Sequence, residues 1–431
     1  MCLIFNNNVW FDEAYTLSLI RHNYAEVIEI LKTDMHPPLY FISLKFFCDI
    51  FGYSIIVTKI FSMSGYIATL LIGCTVIKKH FKTEVSIIYM LTVGAIPMSL
   101  YFSVQQRAYS WCIFFVMLCF IEALLYIESM KMKHCVLFVI AGLLSAYNHI
   151  YALIAVAVIF AFVNIYIFIK KRNHTMTILV CDFLTVIGYS LWILPLLNQT
   201  KSASDKFWLT GTEPLSVQVF INGVVVSAAI LAKKTNRKLP VVFAVVSVLG
   251  VQVIGLGVTV FIRPLYIARY SVVILGVFAV LIAFGVKNTS RLFKRIICVL
   301  LCALNIYSFI SSVQFEYDDS MSQFLNRFSE KLSVSDTFIY CDSSFGIMSY
   351  YYPDNRHLCT YNQEWFAAFG NIECIEKDSI TKEINPDDTI WFVKNTSTKT
   401  PKCIKNNYEC DLIDSFKCDF NTFDVYSLRP R

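Results

Sequence analysis

The stretch that decides the fold is "KMKHCVLFVIAGLLSAYNHIYALIAVAVIFAFVNIYIFIKKRNH", residues 131–174. Apolar residues dominate from 135 to 169, a polar cluster interrupts them near the middle, and basic residues close both ends. One overlong helix would put "KMKH" and "KKRNH" on opposite faces of a membrane. Two short spans, 135–149 and 151–169, keep both basic clusters on one face, with Tyr147, Asn148, His149 and Tyr151 at the turn on the other. Basic loops collect on the cytoplasmic side of a bilayer, so the two-span reading is preferred.

Outward from that block the same alternation repeats. Further apolar runs lie at 54–77, 85–103, 108–127, 176–197, 217–232, 240–262, 268–286 and 294–313. Runs of this length and polarity suit helices that satisfy their own backbone in lipid. One set of connections, including 78–82, 131–134, 170–174, 233–238 and 287–295, carries sixteen Lys and Arg, and the other set carries five. The first set is therefore expected inside. The chain is 431 residues long, 56% hydrophobic and 16% charged, with mean hydropathy +0.58. Soluble domains carry about 25% charged residues. The net charge of +6 sits in short loops and gives no footprint for nucleic acid.

The expected organisation is a polytopic α-helical membrane protein with an outer-face loop over 1–53, about ten spans over 54–313, and a small soluble α/β domain over 314–431. The loop and the tail share the outer face, and with them Asp12, Glu13, Asp34, His36, Arg107, His149, Arg263 and Arg269. The tail alternates β-like runs ("DTFIYC", "DTIWFVK", "FDVYSL") with polar and helical stretches. Its six cysteines, Cys341, Cys359, Cys374, Cys403, Cys410 and Cys418, have no zinc spacing, and any disulfide pairing is left open.

Several motifs carry chemistry, each beside an ordinary role. "VWFDEAYTLS" (9–18) pairs Asp12 and Glu13, which fit a base or metal ligand, or simply favour the dipole of a helix first turn. "TDMHPPLY" (33–40) sets Asp34 and His36 in a rigid turn ahead of a short interfacial helix over 38–51. An N-cap explains Asp34 but leaves His36 unexplained. "SVQQRAYSW" (103–111) and "IRPLYIARYSV" (262–272) put Arg107, Arg263 and Arg269 at outer span ends. Snorkelling accounts for one arginine there, whereas three suggest a bound anion such as phosphate. Tyr109 and Tyr270 suit an aromatic belt, and His149 a structural contact at its turn. No glycine-rich phosphate loop and no internal repeat of the secondary-transporter kind is visible.

In this order the motifs resemble the GT-C membrane glycosyltransferases, in particular bacterial relatives of protein O-mannosyltransferases and lipid A aminoarabinose transferases. The resemblance covers about residues 9–275: D-E, then D-x-H-P-P-L-Y, Q-x-R-x-Y-S, Y-x-H-x-Y and R-x-L-x-x-x-R-Y. It implies an inverting hexosyltransferase that moves a sugar from a polyprenyl-phosphate donor to an acceptor hydroxyl on an envelope glycan, lipid or protein. The site and the tail domain would lie on the outer face of the cytoplasmic membrane, among membrane lipids. Asp12 is then the general base, Glu13 its orienting partner, and Asp34 and His36 the acceptor or metal-binding side. Arg107, Arg263 and Arg269 would hold the donor phosphate, with Tyr109, His149 and Tyr270 lining the substrate site. No cofactor is required by this chemistry, and a divalent metal is left open. The family also implies a membrane helix ahead of the Asp-Glu pair, and here eleven residues precede Asp12.

Two other readings use the same residues: a flippase or transporter of lipid-linked sugars, and a non-catalytic envelope assembly protein. A carrier needs charge along a path near the bilayer midplane. These ionisable groups sit at one boundary, which favours the enzyme.

Overall fold

The computed structural model describes residues 2–34, 36–206, 215–232, 238–261, 267–360, 366–376, 389–418 and 421–431. In chain order the helices are α1 (Phe11–Leu19), α2 (Tyr24–Thr33), α3 (Leu39–Phe51), α4 (Ile55–Ile72), α5 (Lys78–Ala95), α6 (Pro97–Val104) and α7 (Tyr109–Ser129). They continue as α8 (Met132–Ala146), α9 (Ile150–Lys170), α10 (Thr175–Lys206), α11 (Leu215–Ala232), α12 (Lys238–Phe261), α13 (Leu275–Lys287), α14 (Arg291–Glu316) and α15 (Ser320–Ser329). The last three are α16 (Phe345–Tyr351), α17 (Phe366–Phe369) and α18 (Lys402–Asn407). Strands are β1 (Thr337–Tyr340), β2 (Arg356–Cys359), β3 (Ile372–Cys374), β4 (Ile390–Asn395), β5 (Tyr408–Cys418) and β6 (Asn421–Pro430).

Two compact units result: Leu31–Ser312, and Met1–Ile30 with Val313–Arg431. All ten apolar stretches fall on helix where they are described. Among the described residues, seven helical runs are long and apolar enough to cross a membrane, and Met132–Ala146 and Asn222–Ala232 are shorter apolar helices. The first run, Ile55–Ala95, takes in the 54–77 stretch and the front of 85–103, which continues in α6, and Lys82 breaks the run with φ 77° and ψ 162°.

The 135–169 block is two helices, α8 and α9. His149 makes the break: its backbone is extended (φ −162°, ψ 144°), and its Nδ1 accepts from the Tyr151 amide at 3.1 Å, capping α9. Gly142 lets the pair close, since a Cβ there would stand 2.7 Å from the Phe160 ring. Helices α4 and α7 are joined through small residues and polar side chains, as lipid-embedded helices commonly are. Ser110 Oγ donates to the Ser62 carbonyl at 2.6 Å and Trp111 Nε1 to the Phe61 carbonyl at 3.0 Å. A Cβ on Gly65 would lie 2.8 Å from the Trp111 backbone nitrogen, so only glycine allows this approach. That lock fixes where α7 begins, and Arg107 lies two residues ahead of it.

In the other unit six strands form one sheet in the order β3-β2-β1-β4-β6-β5. The first four run parallel, and β6 is antiparallel to both β4 and β5. Strand β1 ("TFIY") and most of β4 ("IWFVKN") are buried throughout, as central parallel strands are, covered on both faces. Ile339, Leu358, Ile390, Phe392 and Leu428 are among the core residues of the sheet. Helix α1 belongs here too. The Phe11 ring meets Phe345 at 5.7 Å and Phe369 at 6.1 Å, and the Val9 amide donates to the Tyr351 hydroxyl at 2.9 Å. Hydrophobic packing and the hydrogen-bonded sheet hold this unit together.

Candidate active site

The site is built at the loops that join α2 to α3, α6 to α7, and α8 to α9. Asp34 is buried after the end of α2, and its Oδ2 lies 2.7 Å from His36 Nδ1. Arg107 Nη2 lies 2.7 Å from His36 Nε2. A guanidinium has no acceptor atom, so His36 Nε2 must accept and the ring proton sits on Nδ1, donated to Asp34. The three side chains thus form one directed chain: Arg107 to His36 to Asp34.

The backbone explains how they meet. Residues 105–108 turn sharply between α6 and α7, with the Arg107 amide donating to the Gln105 carbonyl at 2.7 Å. Gln106, fully buried, donates from Nε2 to Thr58 Oγ1 of α4 at 3.2 Å. Across the cluster, the Leu39 amide at the start of α3 donates to the Tyr147 carbonyl at 3.0 Å, which ties the Asp34-His36 turn to the α8–α9 turn.

His149 stands at that second turn among aromatic rings. Its centroid is 5.6 Å from Tyr109, 5.6 Å from Tyr270 and 6.2 Å from Tyr151, and Tyr151 stacks on Tyr270 at 4.6 Å. Arg269 lies over the Tyr270 ring, with Cζ 5.6 Å from the centroid. Part of His149 keeps solvent access, yet the packing around its ring is dense. Burial, helped by the charges of Arg107 and Arg269, pushes its imidazole down to about 3. His149 is therefore neutral near pH 7. Since Nδ1 already accepts the Tyr151 amide, Nε2 carries the proton and is a donor without charge.

Asp34, His36, Arg107, Tyr109, His149, Arg269 and Tyr270 thus all belong to one unit, and the charges of Arg107 and Arg269 both act on His149. Arg263 lies outside the described residues. Asp12 and Glu13 belong to the other unit, in the first turn of α1. Glu13 is buried, and its Oε2 accepts from the Trp10 amide at 3.4 Å, the helix-capping role weighed against catalysis. Among the described residues no group of three His, Cys, Asp or Glu side chains is placed to hold a metal ion. Asp34 and His36 meet instead as donor and acceptor.

The sequence reading missed Lys59. It is 1% exposed on α4, next to Thr58, in a run otherwise apolar enough to be passed over as a span. A buried ammonium is costly unless it is paired, and a lysine inside an apolar run was the available signal.

Comparison with solved structures places this geometry. The structure superposes on a crystal structure of ArnT from Cupriavidus metallidurans in the apo state with a TM-score of 0.71, at 10% sequence identity, covering 98% of this chain and 94% of that one. The crystal structure of the same protein bound to undecaprenyl phosphate gives 0.70 at 9% identity, over 98% of this chain and 95% of that one. The shared fold is that of ArnT, a helical membrane architecture. No protein-family model matches the sequence, and no curated protein sequence does so significantly. At 10% identity the GT-C likeness is one of architecture. It is the architecture that the motif resemblance implies.

Proposed function

We propose that this chain is a glycosyltransferase that takes a sugar from a polyprenyl-phosphate donor and gives it to an acceptor hydroxyl on the extracytoplasmic face of the membrane. The observation that carries the reading is the convergence of Arg107, His36 and Asp34 with Arg269 and neutral His149 in one unit of a GT-C fold. A structure of similar fold was solved with undecaprenyl phosphate bound, which is the ligand class this cationic cluster suits.

The chemistry runs as follows. The acceptor oxygen bonds to the anomeric carbon as the bond to the phosphate oxygen breaks, through a cationic, oxocarbenium-like sugar. The departing phosphate takes the electron pair. Arg107, held by His36, and Arg269 stabilise that charge without reorganising. His149 donates from Nε2 to a phosphate or sugar oxygen. The acceptor proton goes to a carboxylate, and Asp12 is the base we assign on the strength of the motif order. A single displacement inverts the anomeric centre. The basic loops at the far ends of the helices support an outward-facing site.

The test is incubation of the full-length protein with a panel of polyprenyl-phosphate sugars and a hydroxyl acceptor, following release of the carrier phosphate. Release that requires Arg107 supports the reading. Movement of intact donor across vesicles without release would replace the enzyme with a carrier.

A further inference from the structure

The opposite end of the helical unit carries a second polar concavity. Helix α7 starts beside Arg107 and runs 21 residues, about 30 Å at 1.5 Å per residue, to Ser129. There a cavity of about 840 Å³ opens between the turn Gly73–Ile77 that links α4 to α5, the start of α5, the end of α7 and the start of α8. Its charged and titratable lining consists of Lys79, His80, Lys131, Lys133 and His134 with Glu122 and Glu128. Glu122 is buried, and its Oε2 lies 2.6 Å from His134 Nδ1. That contact satisfies the carboxylate and leaves Nε2 of His134 for another partner. Three lysines then face one remaining acid, Glu128.

The surroundings identify the occupant. Leu71 of α4 and Met132 and Val136 of α8 are large apolar side chains, each at least half exposed. Met132 and Val136 lie on α8, which supplies Lys133 and His134 to the cavity wall, and Leu71 stands four residues ahead of the lining Thr75. A ligand with a phosphate in the cavity has a greasy surface beside it for its chains. Basic pockets between membrane helices on the lysine-rich side suit such headgroups.

We propose that this cavity binds the phosphate headgroup of an anionic phospholipid from the leaflet at the basic-loop end of the helices. Lys79, Lys131 and Lys133 grip the phosphate oxygens, His134 donates from Nε2, and the acyl chains lie against Leu71, Met132 and Val136. The site is separate from the sugar-transfer cluster by the length of α7 and does not depend on that chemistry.

Native mass spectrometry of the full-length protein, titrated with phosphatidylglycerol and with phosphatidylcholine, tests this. Wild type should retain phosphatidylglycerol in preference. The triple change Lys79→Gln, Lys131→Gln, Lys133→Gln should lower that retention roughly tenfold or more. A control triple at the same end but outside the cavity, Lys170→Gln, Lys171→Gln, Arg172→Gln, should not. Equal retention in the cavity triple, or equal loss in the control, overturns the proposal. So does displacement of the lipid by glycerol 3-phosphate at matched concentration, which would assign the pocket to a soluble phosphate. If the triple variant fails to accumulate, Lys131→Gln alone should show a smaller loss of the same sign, and unchanged preference there also overturns it.

Discussion

Arg107 donates to His36, Nη2 to Nε2 at 2.7 Å, across 71 residues of sequence. The bond fixes the plane of the guanidinium and the tautomer of the imidazole together. His36→Ala should therefore act through Arg107, by loosening a group that meets the phosphate. The expected outcome is a rise in donor KM of about tenfold with a smaller change in kcat. Arg107→Ala should cost about 10²–10³ in kcat/KM, the usual loss when a preorganised charge donor is removed. Arg107→Lys should not restore it, because a lysine cannot keep both His36 and a phosphate in fork geometry. Steady-state kinetics with a polyprenyl-phosphate sugar checks all three, and full rescue by lysine would discard the fork.

Arg269 is held differently, over the face of Tyr270 at 5.6 Å. Such a contact contributes about 0.5–1 kcal/mol at an exposed site and more when desolvated. Arg269→Ala should weaken donor binding several-fold more than acceptor binding. Equal losses for the two substrates would mark Arg269 as a packing arginine.

Asp12→Asn separates catalysis from capping. Asparagine keeps the shape of the side chain and removes its basicity. Transfer should fall by at least about 10² while abundance and thermal unfolding stay unchanged, in keeping with loss of a general base. Normal transfer by this variant removes the base assignment. Glu13→Ala should instead lower stability by about 1 kcal/mol, because Glu13 is buried and caps α1 by accepting from the Trp10 amide.

Much of this architecture was legible because lipid imposes so few solutions. Each apolar stretch had to be helix, and the turn at Tyr147–His149 was forced by keeping two basic clusters on one face. The strands "DTFIYC", "DTIWFVK" and "FDVYSL" correspond to β1, β4 and β6. Strand β5 went unread, because its polar and half-buried residues ("YECDLIDSFKC") give no clean alternation. The grouping of residues 1–30 with the tail was hidden for another reason. It rests on contacts such as Phe11 to Phe345 and Val9 to Tyr351, over three hundred residues apart, and no local pattern encodes those. At the site, residue types were readable one by one, but the directed chain from Arg107 to Asp34 needs side-chain geometry.

The depressed imidazole of His149 makes a pH prediction whose sign can be worked out. In the folded chain it titrates near 3, and in the unfolded chain near its ordinary 6.5. Between those values the unfolded chain binds the extra proton, so stability rises with pH over that window. The contribution is fully present above 6.5 and is lost progressively as the pH falls toward 3. Its size is on the order of a few kcal/mol at most. His357, buried beside Tyr340 in the sheet unit and pushed down to about 4, acts with the same sign. His149→Asn removes one titrating group while keeping a good helix N-cap. Thermal unfolding of the full-length protein from pH 7 to pH 4.5 should show a steep loss in wild type and a shallower one in His149→Asn. The variant with both His149→Asn and His357→Phe should be shallower still. Parallel pH slopes in all three would mean that neither imidazole is held neutral by its surroundings, and the uncharged donor assigned to His149 would have to be withdrawn.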